Sequence, residues 1–177
     1  MIFNFGKSIY ETLDTPNRQG AMTEDIRRLV AIHQQKSFFG FGNKFNERDL
    51  WTLYGLQDGV SRFSGEPGGV DRGRGTVNMI EAFTRLGKST DVDKEPIMTI
   101  VSGSTRIVLD KKYPLQSKTL EGGPRRIIAF NKNNSLEEKP DDANVHSLRG
   151  RFPGTVLSFR FFMDKVYLDS LQGGTNQ

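Results

Sequence analysis

The sequence predicts an α+β fold, in which an N-terminal helical half packs on a C-terminal antiparallel β-sheet. Apolar residues recur at helical spacing within residues 22–87 and alternate with polar residues within residues 96–168. Helices precede strands without alternating with them, which favours an antiparallel sheet over a doubly wound parallel one. We expect an apolar N-terminal arm at residues 1–16, a single α+β domain at 17–170 and a flexible tail at 171–177.

Three helices are predicted in the first half. The first is capped by Thr23 and has one apolar face, with His33 at the edge of that face. The second begins after Asn46, a good N-cap residue, and ends at Gly55. The third covers residues 76–86. The inward-facing positions of the first and third helices are Met22, Ile26, Leu29, Val30, Val77, Ile80, Phe83 and Leu86.

The second half is predicted to form strands. Residues 97–101 and 106–109 are two apolar runs around a Ser-Gly-Ser-Thr segment, which is typical of a hairpin. Residues 125–130 form a third strand, and residues 155–163 form the clearest one because their apolar and polar side chains alternate. Residues 166–168 are predicted to be a last short strand. A charged loop is expected at residues 135–144.

The composition excludes several classes of function. The chain has no cysteine, so a disulfide scaffold, a thiolate metal site and cysteine catalysis are excluded. It has two histidines, His33 and His146, which excludes a three-histidine metal site. We expect no enzyme activity, no metal and no cofactor. We also expect no secretory signal and no transmembrane segment, since no apolar run approaches ~20 residues.

One segment resembles a phosphate-binding loop but has its elements in the wrong order. The sequence Ala82-Phe-Thr-Arg-Leu-Gly87-Lys88-Ser89 follows a predicted helix, whereas that chemistry needs a strand before the loop and a helix after it. We therefore interpret Gly87 as the residue that ends the third helix.

Aromatic residues on a glycine-rich segment are the most unusual local feature. Residues 36–45 read KSFFGFGNKF, and the N-terminal arm, which either docks on something or is mobile, adds three more apolar candidates. Aromatic rings beside lysines can insert into a membrane headgroup region or occupy a neighbouring copy of the protein. The alternatives are that they fold back onto the core or stack on unpaired bases. The candidate membrane or self-association residues are Ile2, Phe3, Phe5, Phe38, Phe39, Phe41 and Phe45.

The excess positive charge lies in the second half of the chain. The net charge is +4, and residues 96–136 hold seven basic and two acidic side chains. Such a concentration suits an anionic partner, either a lipid surface or nucleic acid, and the alternative is a solvated surface of mixed charge. The candidate anion-binding residues are Arg106, Lys111, Lys112, Lys118, Arg125, Arg126 and Lys132.

In size and layout the chain resembles the small matrix proteins of plant-infecting rhabdoviruses, of the cytorhabdovirus type. The resemblance rests on the apolar arm, the helical half with its aromatic segment, and the basic β half. The Pro-Pro-x-Tyr budding motif of the animal-virus relatives is absent, and Tyr10-Glu-Thr-Leu13 is the candidate substitute, with Tyr10 and Leu13 as its defining residues.

The resemblance implies a non-enzymatic structural protein of the virion, found in the host cytoplasm and peripherally on host membranes. Such a protein self-associates, binds the viral nucleocapsid, contacts the anionic inner leaflet and the envelope glycoprotein tail, and condenses the particle. The arm and residues 36–45 and 57–75 would supply polymer or membrane contacts. Residues 106–132 would face lipid headgroups or the nucleocapsid.

Two other functions remain open from the sequence. The first is an RNA- or single-stranded-DNA-binding module, which would use the basic β face with Phe38, Phe39 and Phe41 as a stacking platform. The second is a small enzyme with carboxylate chemistry, which would need a deep pocket holding a perturbed carboxylate pair.

Overall fold

The computed structural model describes residues 1–14, 21–35, 45–60, 73–86, 95–120 and 123–162, together with 165, 166 and 169. Within these ranges helices lie mostly in the N-terminal half and strands mostly in the C-terminal half, so the predicted α+β class is confirmed. The elements in chain order are β1 (Ile2–Phe5), α1 (Ile9–Leu13), α2 (Ala21–Gln35), α3 (Glu47–Tyr54), α4 (Gly75–Leu86), β2 (Ile97–Leu109), β3 (Gln116–Leu120), β4 (Gly123–Ile127) and β5 (Val145–Arg160).

The strands form two antiparallel sheets. The larger has the order β1-β5-β2, and the smaller is the β3–β4 pair. β1 lies against the second half of β5, with Ile2 opposite Leu157 and Phe5 opposite Gly154. The first fourteen residues are therefore part of the folded unit, as an edge strand followed by a short helix, and not a separate arm.

The predicted hairpin at residues 97–109 is wrong, because these residues form the single strand β2. Gly103 has φ +59° and marks a β-bulge, where the register with β5 shifts on both sides. Before the bulge Met98 and Ile100 face the core, and after it Ile107 and Leu109 do so. Because of the extra residue, even-numbered side chains face the core before the bulge and odd-numbered ones after it. Both halves of β2 therefore present their apolar side chains to the same face.

The other strand predictions are correct in part. β4 includes residues 125–127 of the predicted third strand, whereas residues 128–130 leave the strand and are buried. β5 begins ten residues before the predicted start at residue 155. Val166 is helical and exposed, so the predicted last strand is wrong at that position.

The helix predictions agree closely with the structure. Asn46 caps α3, its side chain accepts a hydrogen bond from the Asp49 amide at 3.0 Å, and Gly55 ends the helix. Thr23 is not a cap, because α2 begins at Ala21 and Thr23 is a buried residue inside it. His33 is buried rather than at the edge of a face, with Nε2 at 2.9 Å from the carbonyl oxygen of Leu136.

The core lies between the helices and one face of the larger sheet. α3 is at its centre, since its side chains at positions 50–54 are all 2% exposed or less. They pack with the inward residues of β2 and with buried residues of α2 and α4. Burying each of these large apolar side chains stabilises the fold by about 1.5–3 kcal/mol. The largest are Leu50, Trp51, Leu53, Tyr54, Met98, Ile100 and Phe130.

A carboxylate is fully buried where α3 meets the sheet. Asp49 has no exposed surface, and its Oδ1 accepts a hydrogen bond from Thr105 Oγ1 at 2.7 Å. Its Oδ2 accepts one from the Asn46 amide at 2.9 Å and another from Ser147 Oγ. One side chain therefore joins the start of α3 to both β2 and β5.

A buried amide joins the other end of α3 to the smaller sheet. Gln57 Oε1 accepts a hydrogen bond from the Ile128 amide, and Gln57 Nε2 donates to the Ile128 carbonyl, both at 3.0 Å. The side chain thus replaces a neighbouring strand for the residue that follows β4. Asn134 has the same role for Ala129 and Ile127, with bonds of 2.7 and 3.0 Å.

Asp49→Ala should lower the free energy of unfolding by about 3 kcal/mol, because it leaves the buried Thr105 hydroxyl without its acceptor and removes the hydrogen bonds from Ser147 and the Asn46 amide. Urea unfolding followed by circular dichroism measures the change. Asp25→Ala is the matched control, since it removes a carboxylate that is 68% exposed, and should change stability by less than about 0.5 kcal/mol. Equal effects of the two substitutions would contradict the role given to Asp49.

Candidate functional site

An exposed apolar surface lies on the edge strand β1. Ile2, Phe3 and Phe5 are 55%, 54% and 71% exposed, and Met1 is 73% exposed. Phe152 of β5 joins them, with its ring centroid 5.5 Å from that of Phe5 and 6.5 Å from that of Phe3. The rings of Phe3 and Phe5 are stacked at 6.3 Å. We call these five residues, Met1, Ile2, Phe3, Phe5 and Phe152, the aromatic edge.

A glycine allows β1 to approach β5. Gly154 lies opposite Phe5 with φ +128°, and a Cβ there would collide with the Asn4 carbonyl oxygen and lie 3.0 Å from Phe5 Cα. The Gly6 amide donates to the Pro153 carbonyl at 3.2 Å and closes the end of the pairing. The close approach holds the rings of the aromatic edge on a strand and not on a loose segment.

The edge lacks the features that usually protect an outer strand. In the described part of the chain, no strand lies on the other side of β1. Natural edge strands are shielded by charges, prolines or covering loops, and Ile2–Phe5 has neither a charge nor a proline. Its outward backbone groups and its rings are therefore both available for contact.

The predicted aromatic segment is only partly covered by the structure. Phe38, Phe39 and Phe41 lie outside the described residues. Phe45 is half-buried and packs against the core, so at this position the alternative of folding back applies. Of the predicted candidates, Phe3 and Phe5 are placed together on one exposed face, whereas Ile2 is exposed but points to the other face of the strand.

Four of the seven predicted anion-binding residues have partners within the protein. Arg126 contacts Asp58 at 3.2 Å, Glu81 at 2.7 Å and Asn78 at 2.9 Å. Lys112 pairs with Asp141, and Lys111 lies 3.3 Å from Glu95. Lys118 Nζ donates to the carbonyl oxygens of residues 133 and 134, both at 2.8 Å.

The pairs Lys112–Asp141 and Arg126–Asp58 have shifted pKa values. Hydrogen bonds from Lys112, from the Ala143 amide and from Tyr113 lower the pKa of Asp141 to about 2. Burial alone would raise the pKa of Asp58, but the hydrogen bonds and charge of Arg126 lower it overall. The hydrogen bond to Asp58 raises the pKa of Arg126. The N–H donors of Lys112 and Arg126 are engaged by carboxylates of the fold, so fewer of them are available to bind an external anion.

Arg106, Arg125 and Lys132 are exposed and have no ion pair within the described residues. Arg106 is on β2, Arg125 is on β4 of the other sheet, and Lys132 is in a turn. The structure therefore does not gather the predicted basic residues on one sheet face. Sequence composition counts charges, and it cannot show which of them are neutralised by residues distant along the chain.

The candidate budding motif is not an accessible linear segment. Leu13 is 5% exposed and belongs to the core, and Tyr10 stacks edge-on against Trp51 with centroids 6.4 Å apart. A hydrogen bond with Asp14, burial and nearby carboxylates raise the pKa of Tyr10 to about 12. Short signals of this form need an extended accessible chain, whereas Tyr10 and Leu13 lie in α1. The structure contradicts this prediction.

Sequence reasoning missed Phe152 as a member of the aromatic edge. Its contact with Phe5 depends on a pairing between residues about 150 positions apart, which no local pattern indicates. The sequence Arg-Phe-Pro-Gly at 151–154 was the available signal, because an internal glycine in a strand often marks a close backbone approach.

Two further features are absent from the described residues. No group of three histidine, aspartate or glutamate side chains there could hold a metal ion. No helix among the described residues has the length and apolar character needed to cross a membrane.

Comparisons with protein-family models, curated proteins and solved structures gave no match to this chain.

Gly154→Ala should loosen β1 without unfolding the domain, because the new methyl group collides with the Asn4 carbonyl. Amide hydrogen exchange at residues 2–5 is expected to rise at least tenfold, while exchange in α3 stays unchanged. Gly150→Ala is the control, since nothing lies within 4 Å of a Cβ at that position. Unchanged exchange at residues 2–5 would mean that the close approach does not hold the strand.

Asp141 should make stability depend on pH between about 2 and 4. Its folded-state pKa is about 2, below the ordinary 3.8, so the unfolded chain takes up this proton first as pH falls. The contribution is therefore complete above pH ~4 and is lost as pH falls towards 2. Asp141→Asn should remove this part of the slope in urea titrations and cost about 1 kcal/mol at pH 7. Lys112→Met should weaken the slope, and an unchanged slope in both variants would contradict the assignment.

Proposed function

We propose that this chain is a non-enzymatic, matrix-like structural protein that self-associates, binds the inner face of a membrane and the viral nucleocapsid, and drives particle assembly. The observation that carries the proposal is the aromatic edge, where three large apolar side chains of one short strand are more than half exposed. Clusters of exposed apolar side chains often mark contact surfaces.

Membrane contact follows from the chemistry of this surface. Each half-exposed phenylalanine can bury roughly 100 Å² in an interface, which is worth about 2.5 kcal/mol at 25 cal/mol per Å². Lys7 is exposed two positions after Phe5, and Arg149 is exposed three positions before Phe152. Cations beside inserted rings add attraction to an anionic leaflet, and two weak signals together hold a protein on a membrane.

Self-association is supported by the backbone of the same strand. An unshielded edge can pair with a strand of another copy, with main-chain hydrogen bonds providing affinity. Pairing uses backbone groups in the plane of the sheet, whereas the rings point out of its face and can still contact a membrane. Membrane contact and self-association therefore draw on one surface, which suits a protein that assembles at a membrane.

The phenylalanines of β1 should be required for membrane binding. In flotation with vesicles containing phosphatidylserine, Phe3→Ser combined with Phe5→Ser should lower the bound fraction by more than tenfold, because two inserted rings are lost. Binding of the unaltered protein should weaken in high salt without being lost, since the apolar part is insensitive to salt. Val166→Ser is the control, because Val166 is 71% exposed but outside the aromatic edge.

Sedimentation velocity of the same variants in the absence of lipid tests self-association. Loss of both flotation and assembly in the double variant supports the proposal. If the unaltered protein binds none of the vesicles in the flotation assay and also forms no assembly, the proposal is wrong. Salt-sensitive binding of single-stranded RNA by a protein that never floats would favour the nucleic-acid-binding alternative.

A further inference from the structure

A groove lies between α2, the end of α3 and the β3–β4 pair. Its volume is about 300 Å³. That is the lower end of the range for small-molecule sites in proteins. Its apolar lining comes from four different segments of the chain, and its members are Ile26, Leu29, Tyr54, Val60, Ile127 and Leu136.

Two cations face each other across the β3–β4 pair at this groove. Lys118 and Arg125 are direct cross-strand partners, and both line the groove. Like charges at directly opposite positions of an antiparallel pair are destabilising. The arrangement is therefore an unfavourable pairing of charges, which an anion between the two side chains would relieve.

The charges of these two residues are not compensated within the described part of the chain. Neither has a carboxylate within 4.0 Å among the described residues. Lys118 Nζ donates to two carbonyl oxygens, and an ammonium group has three N–H bonds, so one remains for a ligand. The Arg125 side chain is exposed, and its guanidinium forms no ion pair with another described residue.

The carboxylates of the groove already have arginine partners. Asp25 and Glu137 lie on either side of Arg28, at 3.9 and 3.4 Å. Asp58 is held by Arg126 at 3.2 Å and lies 3.9 Å from Arg74. The side of the groove formed by β3 and β4 is thus positive, whereas the α2 side has two carboxylates, Asp25 and Glu137, around one arginine, Arg28.

We propose that this groove binds an amphiphile with one anionic head and an apolar chain. The head, a phosphate or a carboxylate, lies between Lys118 and Arg125, and the chain covers the apolar lining. A free amphiphile and a phospholipid share this chemistry. The site is separate from the aromatic edge, so it goes beyond the proposed function and does not depend on it.

The test is calorimetric titration with octyl phosphate below its micellar concentration. Arg125→Glu should weaken binding at least tenfold, because it replaces one of the two cations with a carboxylate. The same substitution should raise the melting temperature of the ligand-free protein, because it exchanges repulsion from Lys118 for attraction. A destabilised fold would lower both quantities, so the opposite signs separate a site effect from a folding effect.

The controls vary the residue and the ligand. Arg106→Glu reverses an exposed charge on β2, away from the groove, and should leave octyl phosphate binding within twofold. Inorganic phosphate should bind at least tenfold more weakly than octyl phosphate, because it lacks the apolar chain. Phe3→Ser with Phe5→Ser should bind octyl phosphate normally, so failure of the aromatic edge and failure of the groove are distinguishable.

A competition experiment identifies the source of the amphiphile. If vesicles containing phosphatidic acid displace octyl phosphate from the unaltered protein, the site takes a phospholipid; if they do not, it takes a free amphiphile. The proposal is overturned if octyl phosphate does not bind, if Arg125→Glu binds it as tightly as the unaltered protein, or if inorganic phosphate binds equally well.

Discussion

The buried carboxylate of Asp49 is the interaction on which the arrangement of helices and sheet depends. α3 supplies the centre of the core, and its position is fixed at its first turn by bonds from Asp49 to Thr105 on β2 and Ser147 on β5. A buried carboxylate is unfavourable unless its acceptors are satisfied, and here both oxygens have donors. The cost of losing a donor therefore opposes any shift of α3 along the sheet.

The bulge at Gly103 extends this constraint to the N-terminus. It lies between Thr105, which bonds to Asp49, and Ser102, whose Oγ accepts a hydrogen bond from the Ile9 amide at 2.8 Å. Ser102 also bonds to Thr155 of β5 at 2.8 Å, one residue beyond the glycine that admits β1. α1 is thereby held against both strands, and the chain before it can only lie along β5. The exposed rings of β1 are thus a consequence of polar contacts made inside the fold.

The parts of this fold that local chemistry determines were predictable from sequence. Asn46 and Gly55 mark the two ends of α3, because N-cap and C-cap residues act on the backbone groups next to them. The spacing of Val77, Ile80 and Phe83 identified the buried face of α4. β1 was not predictable, because four residues with no alternation form a strand only against a partner about 150 residues away. The hairpin prediction failed for a related reason: a glycine inside a strand can make a bulge or a turn, and pairing with β5 decides between them.

The candidate sites differ from the sequence-based expectation because charge is more easily neutralised than apolar surface. Arg126 and Lys112 contribute to the local excess of positive charge, yet Asp58, Glu81 and Asp141 take up their donors inside the fold. Among the described residues, none covers the exposed rings of Phe3 and Phe5, which are more than half exposed. Binding by this protein should therefore depend mainly on apolar contact. The cations that have no carboxylate partner among the described residues, such as Arg125 beside its groove, should then determine how a ligand is oriented rather than how strongly a whole face attracts it.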